Sequence, residues 1–260
     1  MLHSALLNVM VAAARKAART LRRDFGEVEK LQVSLKGPAN FVSSADLKAE
    51  KTLFEELSKG RPGYGFLMEE RGGVEGSDKT HRWIVDPLDG TLNFLHGIPH
   101  WAISIALERE GALVAGVVYN VVRDELFWAE KGAGAYLNDK RIRVASRSAL
   151  AEAVIATGTP YIGKLGHEVW LGEAERVMAQ TAGVRRWGAA SLDLAYVAAG
   201  RFDAFWERHL KPWDVAAGTV LVREAGGFVK EIDGADFLQT GNIVAANERL
   251  MPLLTKALHG

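Results

Sequence analysis

Residues 83–94, Trp-Ile-Val-Asp-Pro-Leu-Asp-Gly-Thr-Leu-Asn-Phe, end an apolar run in two carboxylates three residues apart, Asp86 and Asp89. Gly90 and Thr91 follow at once. A strand that delivers Asp-x-x-Asp into a turn sets two hard oxygen donors side by side. That pair suits Mg²⁺, which takes carboxylates and waters and shares its shell with substrate phosphates. Met68-Glu69-Glu70 upstream and Lys211-Pro212-Trp213-Asp214 downstream add acidic positions in apolar settings at the ends of elements. Each has a plainer use as well. Asp86 with Pro87 makes a β-turn, Glu69 and Glu70 serve as surface charges, and Asp214 serves as an N-cap or first-turn acid. Their joint occurrence favours a cation site, with Asp86 bridging two ions, Asp89 on the second, and the Leu88 carbonyl as a further oxygen. Strand alternation turns Glu69 and Glu70 to opposite faces, so only one of them joins the site. Gly90 and Thr91 open a predicted helix whose first N–H groups form a phosphate seat.

The elements that must hold these groups are outlined by hydrophobic spacing. Leu2, Leu6, Val9, Ala13, Ala17 and Leu21 fall on one side of a first helix, with Arg15, Arg19, Arg22 and Arg23 on the other. Lys36-Gly37-Pro38-Ala39 reads as a turn into an extended segment, and Asp46 starts a second helix through about Leu57. A strand at Phe66–Met68 leads into Glu69. Between 101 and 145 the pattern is a β-meander, with Glu110-Gly111 and Asn138-Asp139 as turns. From about 150 strand and helix alternate. Helices are predicted over Glu168–Gln180, Ser191–Ala199, Val215–Ala225 and from Glu248, and strands over Ala153–Thr157, Phe202–Glu207, Phe228–Ile232 and Ile243–Ala246. This order predicts an α+β first half over residues 1–145, carrying most of the acidic motifs, and an α/β second half over 146–260, packed as one unit.

Composition narrows the chemistry. With 260 residues, 48% hydrophobic and 25% charged, the chain can bury a large core. It has no cysteine, which excludes disulfides, thiolate nucleophiles and thiolate zinc sites. Basic and acidic residues number 32 each, so net charge gives no reason to expect a nucleic-acid partner. No basic segment precedes the apolar residues 5–14, and no run reaches the ~18 apolar residues of a membrane span. His96, His100 and His209 lack the paired spacing of a zinc site, and Ser43, Ser44 and Ser191 have no base at a recognisable spacing. Trp187, Trp206 and Trp213 read as core or pocket wall.

Trp83–Phe94 and Pro212–Gly218 (Pro-Trp-Asp-Val-Ala-Ala-Gly) together resemble the two signatures of the inositol monophosphatase family, Mg²⁺-dependent, lithium-sensitive phosphatases related to fructose-1,6-bisphosphatase. The likeness extends over nearly the whole chain, through Lys36-Gly37, Phe41-Val42, Met68-Glu69-Glu70 and residues 134–138. It implies a layered α-β-α-β-α sandwich of the sugar phosphatase type. It also implies two or three Mg²⁺ ions held by Glu69, Asp86, the Leu88 carbonyl, Asp89 and Asp214, with Glu69 preferred to Glu70. In the same way it implies that Thr91 and Asp46 orient the attacking water beside Glu69, and that Gly90 and Thr91 donate main-chain N–H groups to phosphate. The ligands Glu69, Leu88, Asp89 and Asp214 then border the substrate, and Gly188, Ala189, Ala190 and Glu207 hold the inositol ring. Met68 stands where Gly is usual, Leu92 where a second Thr is common, and Ala189 where Thr is frequent, while the loop around 72–79 is shortened.

The activity implied is hydrolysis of an inositol phosphate by a cytoplasmic homodimer with a small phosphorylated polyol as its partner. Fructose-1,6-bisphosphate, histidinol phosphate and 3′-phosphoadenosine 5′-phosphate are the runner-up substrates, since the same metal core serves them. A binding protein of the transcription machinery that retains the fold is the alternative from another class. Asp89→Asn is expected to remove nearly all turnover while leaving the fold intact. Undiminished hydrolysis by that variant, in a Mg²⁺-dependent phosphate-release assay, would overturn the metal assignment.

Overall fold

The computed structural model describes residues 3–28, 33–37 and 40–260. Helix α1 (Ala5–Phe25) buries Leu7, Met10, Ala14, Ala17 and Leu21 and exposes Arg15, Arg19, Arg22 and Arg23. Leu6 and Val9 of the predicted stripe lie at its half-buried margin, and Leu2 lies outside the described residues. Ser4 caps the helix by accepting the Leu7 N–H at 3.1 Å. Strands β1 (Val33–Gly37) and β2 (Asn40–Ser43) pair antiparallel, and Pro38 and Ala39 of the predicted turn lie outside the described residues.

Helix α2 spans Ser44–Gly60 rather than starting at Asp46. The reason is a capping box. The Ser43 hydroxyl accepts the Ala45 N–H at 3.1 Å, and the Asp46 carboxylate reaches back to the Ser43 N–H at 2.9 Å. Asp46 therefore sits one turn's reach inside the helix, with Ala49, Leu53 and Leu57 on the same buried side.

Strands β3 (Tyr64–Met68), β4 (Gly72–Val74) and β5 (Asp78–Asp89) precede a short helix α3 (Thr91–Leu95). The meander follows as β6 (Ala102–Arg109), β7 (Ala112–Asn120), β8 (Glu125–Glu130), β9 (Gly134–Leu137) and β10 (Lys140–Ile142). The predicted turns fall at Glu110, Gly111 and Asn138, all with positive φ. These strands form one sheet in the order β10-β9-β8-β7-β6-β5-β3-β4, antiparallel except for β3 beside β5. The second half supplies β11 (Val154–Thr157), α4 (His167–Met178), β12 (Gly183–Arg185), α5 (Ala190–Ala198), β13 (Ala204–Glu207) and α6 (Pro212–Glu224). It ends with β14 (Phe228–Glu231), α7 (Phe237–Thr240), β15 (Ile243–Ala246) and α8 (Leu250–His259). Its five strands form a mixed sheet in the order β12-β11-β13-β15-β14.

Three apolar cores hold the layers together. One packs α1 and α2 on the large sheet, through residues such as Met10, Leu53, Trp83 and Trp101. A second fills the space between the two sheets around α5 and α6, through Leu194, Val220 and Phe205. The third joins the outer face of the small sheet to α4 and α8, through Val177, Trp206 and Leu254. The result is the α-β-α-β-α sandwich. Helix α6 is seated closely: a Cβ on Gly116 of β7 would stand 2.6 Å from the Ala217 carbonyl oxygen, and one on Gly218 would stand 2.5 Å from Leu194 Cβ. Bare backbone at both points lets α6 lie against the sheet and α5, which fixes the direction of its first turn. Among the described residues no helix is long and apolar enough to cross a membrane.

Candidate active site

The Asp-Pro-Leu-Asp segment is not a turn after a strand but a bulge within one. Asp86 pairs with Ser104 of β6 and Asp89 with Ala102, so Pro87 and Leu88 together stand opposite Ile103. Pro87 has no N–H to give a ladder, and a bulge is where a central strand tolerates it. The Asp86 carboxylate, 2% exposed, stabilises the bulge by accepting the Leu88 N–H at 2.8 Å. Behind the bulge Gly90 takes a positive φ of 90° and α3 begins at Thr91. The Thr91 hydroxyl lies 3.0 Å from the Leu88 carbonyl oxygen and 3.1 Å from Asp46 Oδ1. Asp46 Oδ2 in turn accepts the Ser43 N–H and hydroxyl. Thus α2 and the β5 bulge, 45 residues apart in sequence, are joined through one hydroxyl.

Asp89 is held from the other half of the chain. Its Oδ2 accepts the Ser191 N–H at 2.8 Å and the Ser191 hydroxyl at 2.5 Å, at the start of α5. Asp214 lies in the first turn of α6, which begins at Pro212 rather than Val215, and its Oδ2 accepts the Lys211 N–H at 2.7 Å. Glu69 follows β3, and its N–H reaches the Val85 carbonyl oxygen at 3.2 Å. Among the described residues no three His, Asp or Glu side chains stand grouped, as they are placed, so as to hold a metal ion. One oxygen of each aspartate is committed to Leu88, Ser191 or Lys211.

The acids nonetheless share one electrostatic field. Burial raises Asp86 well above the usual carboxylate range, and Glu69, Asp89 and Asp214 raise it further. Burial likewise lifts Asp214 well above that range, with Asp89, Glu69 and Glu207 adding to it against the Lys211 N–H. Asp89 is pushed up to about 6 by burial, against the lowering by its Ser191 bonds. Buried carboxylates stacked in one another's field are costly unless a counter-charge meets them. The donor set is oxygen throughout, which fits a hard divalent cation such as Mg²⁺.

A cleft of about 260 Å³ opens beside this cluster, lined by Glu69, Lys164, Glu207, His209, Trp213 and Asp214 among others. Glu207 leaves β13 into that cleft and lies on the backbone of Gly158: a Cβ there would stand 1.8 Å from Glu207 Oε1. Burial pushes the Glu207 carboxyl up to about 8, opposed by Arg186 and Lys164 and reinforced by Asp89. Gly188, Ala189 and Ala190 do not line the cleft but back the Asp89 end of the site. A Cβ on Gly90 would stand 3.3 Å from Ala189 Cβ, and Asn93 Nδ2 ties α3 to the Trp187 carbonyl at 2.8 Å.

Several residues took on meaning only in three dimensions. Ser191, which has no base for nucleophilic work, is the donor that aims Asp89. Ser43 does the same for Asp46, Asn93 anchors the Trp187–Gly188 strip, and Gly158 makes room for Glu207. The place of Ser191 at the start of a predicted helix is the one sequence signal that could have marked it as a donor. Among the histidines, His209 lines the cleft and His96 is exposed. His100 is buried against Trp187 and Tyr196, and burial, with Arg123 adding to it, lowers its pKa to about 4. Trp206 is core, Trp213 is cleft wall, and Trp187 is partly exposed.

Comparison with known proteins gives a consistent result. The inositol monophosphatase family profile matches residues 3–260. An inositol-1-monophosphatase from Mesorhizobium japonicum is 62% identical over 259 residues, spanning 99% of this chain and 97% of its own. The Nus factor SuhB of Pseudomonas aeruginosa is 44% identical over 256 residues, spanning 96% of this chain and 94% of its own. The crystal structure of extragenic suppressor protein suhB from Bartonella henselae superposes with a TM-score of 0.96 at 59% identity, covering 98% of both chains.

The raised carboxyls make a pH-dependent prediction. An acid whose pKa is raised in the folded chain adds stability below its unfolded value and loses it as pH rises through the folded one. For Asp89 that window runs from 3.8 to about 6, and Asp86 and Asp214 extend it upward. The gain in Tm on adding Mg²⁺ is therefore expected to grow from about pH 5 to about pH 8, as ionised carboxyls are neutralised by the ion. A gain that stays constant or shrinks over that range in a thermal-shift titration would contradict the shared field.

Proposed function

The chain belongs to the inositol monophosphatase family, and we infer from this that it is a phosphoric monoester hydrolase that converts myo-inositol 1-phosphate and water to myo-inositol and phosphate. The observation that carries this reading is the common field of Glu69, Asp86, Asp89 and Asp214 beside a polar cleft that ends at Glu207.

Glu69, Asp86, the Leu88 carbonyl, Asp89 and Asp214 would hold two or three Mg²⁺ ions, whose charge would neutralise phosphate and lower the pKa of an attacking water. The chain's own residues do the rest. Asp46 holds the Thr91 hydroxyl, so that the oxygen's lone pairs face away from the carboxylate and can take a proton from water. That proton passes through Thr91 Oγ1 toward Asp46 Oδ1. Burial raises the Asp46 pKa against the lowering by its Ser43 and Thr91 bonds, which makes it a better proton acceptor than an exposed Asp. The N–H groups of Gly90 and Thr91, at the start of α3, donate to phosphate oxygens where charge grows. Glu207 accepts hydrogen bonds from vicinal hydroxyls of the polyol, while Gly188, Ala189 and Ala190 back the Asp89 end of the site from outside the cleft. On this reading the protein is a lithium-sensitive cytoplasmic homodimer, with no nucleic-acid or membrane partner in its reaction.

A second role in transcription is favoured by the name of the Pseudomonas relative and by the exposed arginines of α1. It is compatible with turnover. A protein that only binds would hydrolyse nothing. Measuring kcat/KM with Mg²⁺ for inositol 1-phosphate, fructose-1,6-bisphosphate, histidinol phosphate and 3′-phosphoadenosine 5′-phosphate separates these readings. Inositol 1-phosphate is expected to lead, with activity lost on chelation. A higher value for any of the other three would reassign the substrate, and no hydrolysis of any would leave the binding role alone.

A further inference from the structure

Helix α2 carries two buried carboxylates one turn apart, Asp46 and Glu50, 0% and 4% exposed. Residues four apart on a helix share a face. Asp46 holds Thr91. Glu50 has no part in the chemistry derived so far, yet it meets the chain directly after Glu69. There β3 turns back into β4 through Glu69, Glu70 and Arg71, with Met68 paired to Gly72 and Gly72 at a φ of 77°. The N–H groups of Glu70 and Arg71 both point at Glu50 Oε2, at 2.8 and 3.1 Å. The Arg71 guanidinium closes the arrangement, 3.8 Å from Glu50 Oε1 and 4.2 Å from the Phe54 ring centre. Two adjacent backbone donors facing one anion form a small nest, and the anion fixes the course of the turn.

We propose that Glu50 is a positioning residue: its carboxylate holds the turn that presents Glu69, and so sets the affinity of the site for its divalent cation. The proposal rests on the assignment of Glu69 as a ligand in the reading above. The two carboxylates of α2 then have parallel tasks. One turn of a single helix sets Thr91 through Asp46 and Glu69 through Glu50, so the distance between them is a property of α2 and not of either loop. What Glu50 must supply is an oxygen at the right reach. Charge is secondary, because two N–H groups donate to an amide oxygen as they do to a carboxylate.

Two variants separate reach from charge. Glu50→Gln keeps the oxygen and loses the charge, whereas Glu50→Asp keeps the charge and withdraws the oxygen by one methylene. Mn²⁺ binding is measured on each full-length protein by the loss of the free-ion paramagnetic resonance signal, with a thermal midpoint recorded alongside. Glu50→Asp is expected to weaken Mn²⁺ binding by about tenfold or more, and Glu50→Gln to stay within about twofold of the unaltered protein, the scale on which groups that orient metal ligands act. Unchanged Mn²⁺ affinity in Glu50→Asp, with or without a lowered midpoint, would reduce Glu50 to a stabilising contact and overturn the proposal. So would Glu50→Gln binding as weakly as Glu50→Asp. Absence of Mn²⁺ binding by the unaltered protein would overturn the ligand reading itself, and this proposal with it.

Discussion

Carboxyl groups drawn into one another's field away from bulk water repel, and something must hold each of them where it is. The protein meets this constraint with fixed donors. Leu88 N–H holds Asp86, Ser191 holds Asp89, Lys211 N–H holds Asp214, and Ser43 with Thr91 holds Asp46. Asp86 and Asp214 are held by their own segments, Asp89 by the start of α5, and Asp46 by its own cap together with Thr91. The remaining unfavourable charge appears as carboxyl pKa values displaced upward, and a bound divalent cation would relieve it. On the proposed reading, affinity for a divalent ion and loss of stability as pH rises would be two aspects of one arrangement.

The layers explain how such distant residues can be brought together. The bulge of β5 lies in the large sheet, α2 covers one face of that sheet, and α5 and α6 cover the other. The site therefore forms where the helices of two layers end at one strand. Close seating at Gly116 and Gly218 makes the approach of α6 a rigid contact. Glu207, from the small sheet, closes the far side of the cleft. On the proposed reading substrate and cation would meet between the two sheets, at a place to which both halves of the chain contribute residues.

Much of this was legible in residue types and spacing. Asp86, Asp89, Gly90 and Thr91 lie together in the chain, and Asp214 sits in a helix start announced by Pro212. The β-hairpin at Glu110-Gly111 and the turn at Asn138 were readable because their chemistry is local. What was not readable depends on pairing between distant segments. The bulge exists only in the register of β5 against β6, and the Ser191 contact to Asp89 spans 102 residues. The capping at Ser43, which moves the start of α2 back to Ser44, competes with several neighbouring Ser and Asn residues in the sequence. Strands β4 and β12 are three residues each and begin with glycine, so period-two patterning has too little length to show.

The central proposal is that Glu69, Asp86, Asp89 and Asp214 together form one site for divalent ions. Anomalous diffraction from crystals soaked with Mn²⁺, collected at the manganese absorption edge, tests it without reference to any substrate. The account predicts anomalous density between these four carboxyls and beside the Leu88 carbonyl. Density confined to other acidic sites, with that space empty at saturating Mn²⁺, would contradict it.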